Sequence, residues 1–180
     1  MKIYLDMDGV LTDADSYISR WSGISRGFLL ENWDKRNEVF GQFRNSQGAD
    51  FFRKLPTNQK LFWREKIEEW NAQGHTVEIL TSYGIIDVQD LGVAAHTGKR
   101  DWLNTHFRFA LVTGQISRFN GVQNCEQKAL FAQPDALLID DQPGNVEQFR
   151  AAGGHAVRYD ITDHPRSVQL IEEAVRELSH

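Results

Sequence analysis

The sequence predicts an α/β fold: a Rossmann-like three-layer α/β/α core on a parallel sheet, with a small helical cap inserted after the first strand. Three observations lead there. Short apolar runs recur along the chain, each stopping at polar, chemically capable residues. Helical stretches separate those runs. The alternation breaks down once, between residues 16 and 58. The length of 180 residues suits one domain, or a core with a modest insertion.

Lys2–Leu5 is β-capable and runs straight into Asp6-Met7-Asp8-Gly9, as a buried strand ending in an acidic turn would. The same design recurs over residues 75–82 and 135–141, and shorter strands are expected over 109–113 and 155–159. Residues 59–72 place Leu61, Phe62, Ile67 and Trp70 near helical spacing and stop before Gly74, a residue suited to a helix C-terminus. Further helices are expected over 100–107, 126–132, 145–152 and 166–178. Strands alternating with helices give a parallel sheet covered on both faces. The chain thus divides into a core, 1–15 and 59–180, and a helical cap, 16–58.

The insert lacks a clean strand and is punctuated by Gly, Ser, Asn and Arg. Tyr17 through Trp70 hold 11 of the chain's 20 aromatic residues, and a small cap has little else with which to build a core. Trp33, Phe40, Phe43, Phe51, Phe52, Trp63 and Trp70 are therefore read mainly as core, with one or two left to stack on a substrate ring. Arg20, Arg26, Lys35, Arg36, Arg44, Arg53 and Lys54 are read as a solvated face whose charge would attract an anion. Inserted after the first strand, the cap would lie over the carboxyl edge of the sheet, where open α/β folds bind ligands.

Twenty Lys and Arg against 25 Asp and Glu give a net charge of −5, which argues against a protein that grips long nucleic acid. The single cysteine, Cys125, excludes an internal disulfide and a multi-Cys zinc site, and it is read as an inert thiol. His75, His96, His106, His155, His164 and His180 show no metal-ligand pairing and are assigned surface or structural roles. The N-terminal apolar stretch ends after three residues, too short for a signal peptide or membrane helix. A cytoplasmic protein without membrane association is expected.

Asp6 and Asp8, two apart at a strand end, would point the same way if strand geometry persisted. Two carboxylates in one small space can divide the roles of acid and ionised base, or share a hard cation such as Mg²⁺. Gly9 lets the backbone turn sharply beside them. A calcium loop is excluded, because it needs another acidic residue before the Gly and a Glu beyond it. Gly92 to Gly98 followed by Lys99 is no Walker loop: five residues separate the glycines, and Arg100 stands where Ser or Thr is required. On spacing alone Lys99 reads as a solvated helix residue.

The full string Asp6-Met7-Asp8-Gly9-Val10-Leu11-Thr12-Asp13 resembles the first signature of the haloacid dehalogenase-like (HAD) phosphohydrolase superfamily. Thr81-Ser82 closing an apolar strand, Lys128, and Asp140-Asp141 with Asn145 resemble the second, third and fourth signatures, in order. A closer resemblance is to the 5′(3′)-deoxyribonucleotidase branch. It is carried by Lys99-Arg100-Asp101-Trp102 with His106-Phe107, by Lys128, by Leu137-Leu138-Ile139-Asp140-Asp141, and by the aromatic segment Asp50-Phe51-Phe52-Arg53-Lys54-Leu55-Pro56.

The resemblance implies an Asp6 nucleophile that forms an aspartyl-phosphate, with Asp8 as proton donor and then acceptor. It implies Mg²⁺ held by Asp6, the Asp8 backbone carbonyl and Asp141, with Asp140 in support from behind and Asp13 in or beside the site. Thr81, Ser82, Lys99 and Lys128 would bind the phosphate, and Phe51 and Phe52 the rest of the substrate. The implied activity is Mg²⁺-dependent hydrolysis of (deoxy)ribonucleoside monophosphates, and a homodimer is compatible with it. The alternatives are another small phosphate, such as a sugar phosphate, and a non-enzymatic phospho-accepting module. Dehalogenation is disfavoured because a halide leaving group needs no proton and hence no Asp8. The acidic net charge opposes a polynucleotide-end phosphatase. Competent side chains at all four signatures oppose an inert binding domain.

Overall fold

The computed structural model describes residues 1–84 and 89–179; His180 lies outside the described residues. Five strands, β1 (Lys2–Leu5), β2 (Thr76–Ser82), β3 (Ile116–Val122), β4 (Ala136–Asp140) and β5 (His155–Arg158), form one sheet in the order β3-β2-β1-β4-β5. Every pairing is parallel. The central β1 sets Leu5 beside Ile79 of β2 and Ile139 of β4, so the segments that follow these residues emerge on one edge.

Alternation along the strands divides the core in two. Ile3, Leu5, Val77, Ile79, Leu137 and Ile139 face one way, onto α5 (Lys60–Ala72), α6 (Gln89–His106) and α9 (His164–Leu178). These helices supply Trp63, Ile67, Trp70, Trp102, Leu103, Ile171 and Val175. Tyr4, Leu80 and Leu138 face the other way, onto Val146 and Phe149 of α8 (Pro143–Ala151) and onto Phe131 of a 3₁₀ helix, Cys125–Phe131. Two buried tryptophans also satisfy loop carbonyls: Trp63 Nε1 donates to Val10 O at 3.0 Å and Trp102 Nε1 to Leu55 O at 2.7 Å.

Residues 109–113, expected as a strand, lie instead in α7 (Arg108–Val112) and its C-terminal end. Phe109 and Val112 are 59% and 71% exposed, so apolar character there does not mean burial. The strand is Ile116–Val122, whose pattern is weak because β3 is an edge strand with Ser117 and Arg118 turned to solvent. The helix expected over 126–132 is the 3₁₀ helix, and the one expected from Arg100 is the second half of α6.

Between β1 and α5 run α1 (Ala14–Ser22), α2 (Arg26–Glu31), α3 (Trp33–Gln47) and α4 (Ala49–Arg53). Asp13 caps α1, accepting from Ser16 N at 3.0 Å, and Ser25 caps α2. Phe51 and Phe52 are fully buried. Phe51 packs edge-on against Phe40 and Tyr17, at centroid distances of 4.9 and 5.6 Å. Their cluster is continuous with the apolar residues of the sheet. Helix α4 lies so close to α6 that a Cβ on Gly98 would strike the Ala49 carbonyl. No helix among the described residues is long and apolar enough to cross a membrane.

Candidate active site

The candidate site begins where β1 stops. Asp6 N still donates to Ile139 O at 3.0 Å, but the chain then turns, and the Met7 carbonyl accepts from the amides of Val10, Leu11 and Thr12. Gly9 takes φ +80°, and a Cβ there would collide with the Asp141 carboxylate. Strand geometry therefore does not persist to Asp8. Asp6 and Asp8 are each paired with a different lysine.

Asp6, 4% exposed, accepts from Met7 N through Oδ1, and the same oxygen lies 3.0 Å from Lys128 Nζ. Its Oδ2 takes no hydrogen bond among the described residues. Lys128 sits on the 3₁₀ helix, fully buried, with Nζ 2.7 Å from Asp140 Oδ2. Burial opposes its charge, but Asp140 and Asp6 more than offset that and hold its pKa above the ordinary lysine value. Asp140 is saturated: Oδ1 accepts from Gln142 N and Asn145 Nδ2, and Oδ2 from Lys128 and Asn145.

Asp6, Asp140 and Asp141 each bring a carboxylate oxygen within 4.8 Å of the others. Asp141 Oδ1 is buried without a hydrogen-bond partner among the described residues, an arrangement that ordinarily costs about 1–3 kcal/mol or more for a charged group. Burial raises the Asp141 pKa well above the ordinary carboxylate value, with Arg36 opposing the rise and Asp140 and Asp6 adding to it. A cluster of hard oxygens with one buried donor unsatisfied fits a small divalent cation such as Mg²⁺. Asp8's carboxylate stands outside this trio, and the saturation of Asp140 makes it a support more readily than a ligand. Asp13 is not one of the trio: its carboxylate caps α1 and lies 3.4 Å from Arg26.

Lys99 overturns its reading as a solvated residue. It is 1% exposed, and Nζ spends its three donors on Asp8 Oδ2 at 2.6 Å, Thr81 Oγ1 at 2.7 Å and Ser82 O at 2.9 Å. It also lies 5.2 Å from the centre of the Phe52 ring. Ser82 Oγ is 3.3 Å from Cys125 Sγ. Asp8, Ser82, Cys125, Gln142, Phe40, Phe52 and Tyr83 line a cleft of about 350 Å³. Phe52 lines that cleft, whereas Phe51 lies behind it in the core.

Arg36 and Arg44 of α3 complete the cleft wall. Arg36, expected on a solvated face, is 3% exposed. Nε donates to Asp15 Oδ1 at 2.5 Å, Nη2 to Asp141 Oδ2 at 3.2 Å, and the guanidinium lies 4.3 Å from the centre of the Trp33 ring. Burial works against its charge, but Asp141 and Asp15 prevail and hold its pKa above the ordinary arginine value. The missed signal was helical: Arg36 lies three, four and seven residues before Val39, Phe40 and Phe43, all of them buried or packed on the core. The histidines keep structural roles where hydrogen bonds place them: His96 Nδ1 is 2.6 Å from Tyr83 Oη and His164 Nδ1 is 2.9 Å from Tyr159 Oη.

No family model and no curated protein matches the chain. Solved structures do. A dehalogenase superposes with TM-score 0.51 at 14% identity, over 87% of this chain and 83% of its own. A hydrolase from Streptococcus pneumoniae TIGR4 gives TM-score 0.51 at 12% identity, over 93% and 97%. A HAD-superfamily hydrolase of subfamily IA, variant 1, from Geobacter sulfurreducens PCA gives 0.45 at 14% identity, over 88% of each chain. At such identities the first two establish a shared fold, and the chemistry must be argued from the residues.

Proposed function

We propose that the protein is a Mg²⁺-dependent phosphatase, with nucleoside monophosphates as its substrate class. One observation carries the reading: the two carboxylates that follow β1 are each paired with a different buried lysine, Asp6 with Lys128 and Asp8 with Lys99, beside an Asp141 oxygen that lacks a partner among the described residues. Such a site combines a nucleophile, a proton carrier and fixed positive charge where a phosphoryl group would enter.

Asp6 attacks phosphorus, its new O–P bond forming as the bond to the ester oxygen breaks, while Asp8 gives that oxygen a proton. Water then attacks the aspartyl-phosphate and yields its proton to Asp8, inorganic phosphate leaves, and the Asp6 carboxylate is restored. Lys128 and Lys99 bind phosphoryl oxygens, and Thr81 and Ser82 border the same position. An arriving phosphoryl group competes with Asp8 for the Lys99 ammonium and so frees Asp8 for proton transfer. The metal, held by Asp6, Asp141 and the Asp8 carbonyl with Asp140 in support, would neutralise charge between nucleophile and phosphate.

The nucleotide class is supported by the resemblance of residues 50–56 and 99–107 to deoxyribonucleotidases and by the Phe40, Phe52 and Tyr83 rings around the cleft. Residues 16–58 would serve as the cap that selects the leaving group. Phosphate release from a panel of mononucleotides and sugar phosphates, with Mg²⁺ and with EDTA, tests the proposal. Turnover that survives EDTA would remove the metal, and an Asp6→Asn protein with wild-type turnover would remove the covalent step. Sugar phosphates tenfold better than every nucleotide, about 1.4 kcal/mol at the transition state, would exclude the nucleotide class.

A further inference from the structure

We infer that Arg36 is the resident counter-cation of Asp141 and competes with the metal ion for it; this rests on the metal-dependent reading above. The guanidinium is held on two edges by two different acids. Its contact with Asp15 is the shorter, 2.5 Å against 3.2 Å for Asp141. Asp15 is itself buried, with a side chain 4% exposed, and its carboxylate has no other ion pair among the described residues. The Trp33 ring supports the guanidinium as well. Arg36 therefore has a resting place that does not depend on Asp141.

Asp141 is less committed. One oxygen receives the longer Arg36 bond, and the other, buried, receives no hydrogen bond from the described residues. A divalent ion on Asp141 would stand within a few ångströms of the guanidinium in an interior where water screens poorly, and two like charges that close repel strongly. Arg36 must then retreat toward Asp15 and Trp33, and the work of that displacement is subtracted from metal affinity. Without the ion, Arg36 neutralises Asp141 as Lys128 neutralises Asp6 and Asp140, and so limits repulsion within the cluster. The same residue thus stabilises the metal-free fold and weakens metal binding.

The test is calorimetric titration of MgCl₂ into full-length, metal-stripped protein, comparing wild type with Arg36→Met, Arg36→Gln and, as a control that does not touch Asp141, Arg44→Met. Both Arg36 variants are expected to bind Mg²⁺ about tenfold more tightly, with Arg44→Met within twofold of wild type. Without metal, the Arg36 variants should melt below wild type, and saturating Mg²⁺ should narrow that gap, since an ion that binds only the folded chain stabilises the tighter binder more. Should Met at this buried position prevent folding, the hydrogen-bonding Gln carries the comparison. Unchanged or weaker Mg²⁺ binding in the Arg36 variants overturns the inference, as does an equal gain in Arg44→Met, which would show only a general field effect. Failure of every protein, wild type included, to bind Mg²⁺ overturns the metal-dependent reading and this inference with it.

Discussion

Lys99 Nζ lies 2.6 Å from Asp8 Oδ2 and 2.7 Å from Thr81 Oγ1, so one buried ammonium ties the turn after β1 to the end of β2. The charge comes from α6, 91 residues beyond Asp8. Its backing is the Phe52 ring, whose centre lies 5.2 Å from Nζ. Lysine here is thus a fixed donor rather than a flexible one.

Lys99→Met should lower kcat/KM by about 100-fold, near 2.7 kcal/mol at the transition state. Phosphate-release kinetics check this, with circular dichroism to show that the fold is retained. Loss of KM alone, with kcat intact, would reassign Lys99 to ground-state binding.

Lys128→Met should be costly to the fold itself. It would leave Asp6 and Asp140 buried and unneutralised, and removing one partner of a buried ion pair typically costs about 3–5 kcal/mol. Urea unfolding measured against wild type gives the value directly. A loss below about 1 kcal/mol would mean that water or a bound ion already neutralises the two acids.

Gly9→Ala should harm the site more than the fold. A residue with a side chain at φ +80° bears strain of about 1–2 kcal/mol, and its methyl would displace the Asp141 carboxylate. Activity and Mg²⁺ affinity should both fall at least tenfold, while the melting temperature drops only by a few degrees.

The half-buried His164 gives a pH test. Burial lowers its pKa below the ordinary histidine value, and its Nδ1 is bonded to Tyr159 Oη. The folded chain thus binds the His164 proton less readily than the unfolded chain does. Its contribution to stability is fully present above the unfolded value, near 6.5, and is lost as pH falls through the folded value. In His164→Gln that acid-sensitive part should vanish: the stability gap between wild type and variant, read by urea unfolding, should shrink from pH 7.5 to pH 5. A gap that widens on acidification would show that His164 is charged in the fold.

Much of this arrangement is legible in the sequence. Lys2–Leu5, Thr76–Ser82 and Ala136–Asp140 announce themselves as apolar runs that end in Asp, Thr or Ser. A parallel sheet then delivers those ends to one edge. Where burial and periodicity part company the reading failed: exposed Phe109 and Val112 imitated a strand, and the half-solvated edge strand Ile116–Val122 hid one.

By itself, then, the sequence determined which acids close the strands and that they would gather at one edge, because strand periodicity and parallel pairing are short-range rules. Only the tertiary structure decided which charges meet. It gave Asp6 to Lys128 and Asp8 to Lys99, turned Asp13 to a helix cap, and drew Arg36 from an expected surface to Asp141, 105 residues away. Local pattern cannot specify such pairings, since the distance between charges on separate elements is set by how buried faces pack, and electrostatic energy at close range depends steeply on that distance.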